Sequence, residues 1–237
     1  VTGYTESYGS GKSDIWVVKF DENGNEKWNR TYGGKGEEKG KAIEKTSDEN
    51  YILVGSTTSY GSGYNNVWLV KIDDNGNEIW NQTYGGPNND TGRSILTTED
   101  GYIILGETWS FGAGKNDLWL IKTDSQGVEI WNKTYGSSEE DEGRSLTNVY
   151  GGGYVLAGGT WSYSEEGEYT WMIKVDEEGN EIWNNTFGTD DRIEYCNQII
   201  QTKDGSFVLA GHSLSFDYSS LNGVILKTSS QGQLEWK

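Results

Sequence analysis

Five glycines, Gly3, Gly55, Gly106, Gly158 and Gly211, stand 52, 51, 52 and 53 residues apart. Five lysines keep the same step, Lys19, Lys71, Lys122, Lys174 and Lys227, each closing an apolar run such as WVVK, WLVK or WLIK. Trp28, Trp80, Trp131, Trp183 and Trp236 keep it as well. Three landmarks in one register make this chain a tandem array of five copies of one unit about fifty residues long.

Within one copy the pattern predicts four strands, Arg93 to Thr97, Tyr102 to Thr108, Leu118 to Thr123 and Glu129 to Tyr135, separated by turns that carry glycine. No helix is required. The composition agrees, because 34 Gly, 11 Trp and 15 Tyr against a single Pro suit short aromatic strands joined by tight turns. Runs such as Trp68-Leu69-Val70 are apolar at successive positions, so both faces of that strand are expected to be buried. Repeats of this length with four strands each are the pattern of a β-propeller. The expectation is an all-β single domain over residues 1–237, most simply a five-bladed propeller, with a fragment of a larger propeller as the alternative. The 237 residues fall short of five full copies, which places a missing strand in the fifth blade and implies a natural chain that extends beyond one end or both.

The segment NQTYGGPNNDTGRSILTTEDGYIILGETWSFGAGKNDLWLIKTD resembles the repeats of secreted or surface-attached archaeal and bacterial β-propeller proteins. Their units run roughly TYGG, D, SI, DGGYI, SFGAG, DxW, K, GN, W. The resemblance covers the whole chain and implies a propeller and an extracellular or cell-surface location. It carries no activity and no catalytic residues onto this sequence. The fifth copy departs most, with Val224 in place of the recurring Trp and Ser229 in place of the turn Asp.

A net charge of −18 argues against nucleic acid or an anionic membrane surface as partner, since both need clustered Lys and Arg. No apolar stretch approaches the roughly 20 residues of a membrane helix, so no direct membrane insertion is expected in this segment. The single cysteine, Cys196, can form neither an internal disulfide nor a cysteine-based metal site.

Several residues are candidates for function. The turns holding Asp21, Asn23, Asp73 and Asn75 resemble the oxygen-rich start of a calcium loop, although hairpin geometry explains the same residues and no metal or other cofactor is expected. Asn29, Asn81, Asn89, Asn132 and Asn184 head N-glycosylation sequons, with a polar ladder along an edge strand as the alternative reading. The five lysines either ring an anion or pair locally with Glu26, Glu78, Glu129 and Glu181, and the pairing is preferred. Trp109 and Trp161 stand where other copies have Glu6, Thr58 and Leu214. A residue that breaks a repeating scaffold is the place to look for a ligand, here a sugar ring or a protein partner, against the alternative of packing between blades. His212 is the only histidine, and no serine-histidine-acid set is present. The paired acids Asp190 and Asp191 read as a solvated loop rather than a glycosidase pair. The leading expectation is therefore a non-catalytic extracellular module, part of a larger surface or secreted protein, that binds glycan or protein. A polysaccharide-acting propeller enzyme using loop carboxylates and an intracellular protein-interaction scaffold are the alternatives.

Overall fold

A computed structural model describes residues 1–163, 167–188, 192–215 and 220–237. It contains nineteen strands in five antiparallel sheets and, among the described residues, no helix. The first sheet holds β1 (Thr2–Thr5), β2 (Asp14–Phe20) and β3 (Glu26–Tyr32). The second holds β4 (Glu38–Lys45), β5 (Tyr51–Thr57), β6 (Asn66–Ile72) and β7 (Glu78–Tyr84). The third holds β8 (Asp90–Thr97), β9 (Gly101–Thr108), β10 (Asp117–Asp124) and β11 (Glu129–Tyr135). The fourth holds β12 (Asp141–Asn148), β13 (Tyr154–Thr160), β14 (Tyr169–Val175) and β15 (Glu181–Phe187). The fifth holds β16 (Arg192–Gln201), β17 (Phe207–Ser215), β18 (Leu221–Thr228) and β19 (Leu234–Trp236).

In each sheet the strands follow one another in chain order, as glycine-turn hairpins require. The short sheet is the first, whereas the repeat count had placed the gap in the fifth. The reason is the frame of the copy: a sheet opens with the strand that precedes the recurring glycine, as Glu38–Lys45 precedes Gly55, and Val1 stands just ahead of Gly3. The fifth sheet has its four strands, but β19 pairs with β18 only at Lys227↔Trp236 and Thr228↔Leu234.

Internal contacts divide the chain into two compact units, Val1–Ser110 with Ile121–Trp131, and Phe111–Leu120 with Asn132–Lys237. Each has its own core. In the first, Ile15, Val17, Leu53, Trp68, Val70 and Ile72 pack together; in the second, Val155, Met172, Cys196, Ile199, Phe207 and Leu209 do so. All seven residues of β6 are buried, which is why apolar residues occupy successive positions there. The last strand of a sheet buries little beyond its final Tyr, as in β7, and carries polar residues instead.

Every opening strand makes the same irregularity against its partner. The register shifts between Gly40 and Ala42, Gly92 and Ser94, Gly143 and Ser145, and Cys196 and Gln198. One extra residue is therefore bulged out of each pair: Lys41, Arg93, Arg144 and Asn197. Two residues ahead of each bulge a carbonyl lies close against the partner strand, and only glycine leaves room for it. A Cβ at Gly106 would meet the Thr91 carbonyl, one at Gly158 the Glu142 carbonyl, and one at Gly211 the Tyr195 carbonyl. Around Gly3, whose sheet has no opening strand, a Cβ would meet nothing within 4 Å. Gly106→Ala is thus expected to destabilise the protein by about 1–3 kcal/mol, the usual cost of overpacking. Gly3→Ala should stay within about 0.5 kcal/mol of the parent. Urea midpoints of the two variants check this, and equal midpoints would refute the packing argument.

Candidate functional site

The hairpin turns between the last two strands of the first four sheets hold their own acids, and Ser229 takes that place in the fifth. Asp21 Oδ1 accepts from the Asn23 and Asn25 amides at 2.9 Å each, and its Oδ2 accepts from Asn25 Nδ2 at 3.0 Å. Asp73 repeats this with Asn75 and Asn77, each contact at 2.8 Å. These bonds pull both carboxyls below their ordinary pKa. The Asp21 and Asp73 carboxyl oxygens thus accept from N–H groups of their own turns.

Three of the recurring lysines pair within their own sheet with acids other than those expected, and Lys227 also reaches Glu235 of the next strand at 3.1 Å. Lys71 contacts Asp48 at 2.8 Å, Lys122 contacts Asp100, and Lys227 contacts Asp204 at 3.2 Å, each partner lying in the turn between the first two strands of the sheet. Of the acids named beforehand, Glu26, Glu78 and Glu181 accept instead from Asn29, Asn81 and Asn184 Nδ2 at 2.6–2.7 Å. Three sequon asparagines have a second task. Asn81, Asn132 and Asn184 accept through Oδ1 from the indoles of Trp68, Trp119 and Trp171 at 3.1–3.3 Å. All five sequon asparagines are exposed, and Asn89 lies in the loop before β8 rather than in an edge strand.

At the opposite, loop end of the sheets, buried acids meet in pairs. In the first unit Asp14 and Glu38 both lie against Gly33, and in the second Asp117 and Asp141 both lie against Gly136. Asp141 is held by donors, Ser137 N at 3.0 Å, Ser162 Oγ at 2.6 Å and the Thr160 hydroxyl. Asp117 accepts from Ala113 N at 2.9 Å, and burial followed by the Asp141 charge raises its pKa to about 6. The equivalent place in the second copy is already an amide, Asn66 beside Asp90. A folded pKa above the usual carboxyl value means that stability is full at low pH and falls as pH rises from about 4 through 6. Asp117→Asn should therefore raise the melting temperature at pH 8 by about 2–4 °C, corresponding to ~1 kcal/mol. The gain should vanish near pH 3.5, and thermal melts at the two pH values decide it.

The two tryptophans that break the repeat are neither buried nor idle. Trp109 is 45% exposed and Trp161 38% exposed. Their backbone amides donate to Asn89 O and Glu140 O, each at 2.9 Å, fixing the loops that carry them. The aromatic residues just beyond cap the buried tryptophans: Tyr60 lies 5.3 Å from Trp68, Phe111 5.4 Å from Trp119 and Tyr163 5.0 Å from Trp171.

Trp161, in the second unit, belongs to a wider constellation. Its side chain hydrogen-bonds Glu168, a carboxyl only 5% exposed whose Oε1 has no hydrogen-bond partner among the described residues. Burial first, then the charge of Glu142, raises the Glu168 pKa to about 7, against the opposing influence of Arg144. Arg144, the bulged residue of β12, pairs with Glu142 and lies 5.2 Å from the centre of the Tyr195 ring. Tyr195 stacks on His212 at 4.6 Å, and His212 Nδ1 contacts Asn197 Nδ2, from the next bulge, at 3.2 Å. Gly159 makes the arrangement possible, because a Cβ there would collide with Glu168 Oε1. In the first unit the position equivalent to Gly159 is Glu107, which pairs with the bulged Arg93 at 2.7 Å.

The sequence had singled out Trp109 and Trp161 but missed Arg144, Glu168 and Tyr195. A basic residue one place after glycine in KGKA, TGRS and EGRS was the available signal. His212, the single histidine, is half-buried in the stack. Cys196 is buried with its thiol pushed up to about 12, which keeps it protonated. Asp190 and Asp191 lie outside the described residues.

No protein-family model and no curated protein matches this chain. Among solved structures, the chain is similar to one from Bifidobacterium bifidum described as a "putative exo-beta-1,3-galactanase". The TM-score is 0.53 at 11% identity, covering 100% of this chain and 90% of that one. A likeness of this kind concerns the fold alone: an all-β, propeller-like architecture of repeated antiparallel sheets.

Proposed function

We propose that this protein is a non-catalytic glycan-binding module of the five-bladed propeller type, exposed outside the cell as part of a larger surface or secreted protein, with its binding site around Trp161. The observation that carries the reading is the half-exposed indole of Trp161 hydrogen-bonded to the buried Glu168, next to the Arg144–Glu142 pair. A sugar has an apolar face of C–H groups and a rim of hydroxyls. An aromatic face suits the first, and fixed charged donors and acceptors suit the second. Glu168, poised near neutrality, can accept from or donate to a hydroxyl. Support for the outside location comes from the resemblance of the repeats and from the exposed sequons.

One observation favours a second reading. A carboxyl with a pKa near 7 beside another acid is what a general acid in glycoside hydrolysis needs. Calorimetric titration with β-1,3-linked galacto-oligosaccharides, together with an assay for newly released reducing ends, separates the two. We expect saturable binding with Kd of about 0.1–1 mM, weakened at least tenfold (~1.4 kcal/mol) in Trp161→Ala, and no release. Release of sugar that is abolished in Glu168→Gln would replace the binding module with an enzyme.

A further inference from the structure

The turn end of the first unit holds a second constellation, formed where one copy departs from another. Beside the first sheet, Lys19 is taken up by Asp74, whose carbonyl also accepts from Trp28 Nε1 at 3.1 Å. The cavity there, about 210 Å³, has apolar walls that include Val1, Val17, Phe20 and Ile43. The residue equivalent to Asp74 in the next turn is Ser125, shorter and uncharged. Lys71, only 6% exposed, turns instead to Asp48 at 2.8 Å and hydrogen-bonds Tyr102. What opens beside it is a cavity of about 240 Å³ lined by Ser47, Lys71, Thr97, Tyr102, Ser125 and Gln126, among others.

The chemistry of this lining selects its ligand. Lys71 is already neutralised by Asp48, and Glu99 adds a further negative charge to the wall, so an anion is disfavoured. The remaining groups are hydroxyls, a carboxamide and an ammonium with donors to share, which match neutral hydroxyls in either hydrogen-bonding sense. The volume equals that of about eight liquid waters at ~30 Å³ each, room for one sugar ring.

We propose that this polar cavity is a binding site for a neutral polyhydroxylated ligand the size of a single sugar ring, independent of the site around Trp161. It needs no contribution from Trp161, Glu168 or Arg144, so the Trp161→Ala chain is the protein in which to test it. That chain is titrated by calorimetry with D-galactose, D-glucose and glycerol as neutral probes and inorganic phosphate as the anionic one. At least one sugar should saturate with Kd of ~1–10 mM. Ser125→Asp, which installs at an exposed position the residue that the preceding copy already carries, should weaken that binding at least tenfold while leaving the melting temperature unchanged. Gln126→Ala, also at an exposed position, should weaken it at least threefold. No saturation by either sugar up to ~50 mM, undiminished binding in Ser125→Asp, or a preference for phosphate would each overturn the proposal.

Discussion

Each of the first three copies is fastened to the next by one tyrosine and one glycine. The hydroxyls of Tyr32, Tyr84 and Tyr135 donate to the carbonyls of Gly76, Gly127 and Gly179 at 2.6–2.7 Å. Burial pushes these phenols above their ordinary pKa, so they remain donors. The same glycines adopt positive φ, between 75° and 79°, to close the hairpin turn. The preceding copy's Trp28 and Trp80 crowd the Cα of Gly76 and Gly127, so a side chain there would be refused on two grounds. Turn closure within one sheet and attachment to its predecessor therefore depend on a single residue, and the repeat cannot drift at that point without losing both.

The loop end is organised by buried charge as well as by the Tyr60–Trp68, Phe111–Trp119 and Tyr163–Trp171 contacts. There, acids buried against glycine tie the glycine-rich loops to the starts of neighbouring strands, with backbone amides and hydroxyls as donors. Such a frame holds a loop without filling it with apolar bulk, so aromatic residues such as Trp161 and Tyr163 stand partly exposed on a fixed backbone.

The strands were legible in the sequence because the apolar runs and turn glycines report local backbone geometry. The four strands expected for the third copy fall within a few residues of β8–β11. The landmark lysines were legible as paired, but their partners were not, since pairing depends on which turn folds back over the strand end, and Asp48 and Asp100 reach it before Glu78 and Glu129. The site around Trp161 was legible only through its tryptophan. Glu168 looks like one more surface acid until Gly159 is seen to leave the space that buries it. Arg144 gains its position from a bulge, a register shift that no composition or periodicity reveals.

The fastening is not uniform. In the fourth copy the tyrosine is Phe187, which has no hydroxyl to offer the Gly232 turn, and an open cavity of about 420 Å³ borders both residues. Where stability is summed over contacts between neighbouring repeats, a junction that lacks this hydrogen bond is held less tightly than those that have it. The last hairpin therefore opens locally at a lower free-energy cost than the three hairpins fastened by a tyrosine.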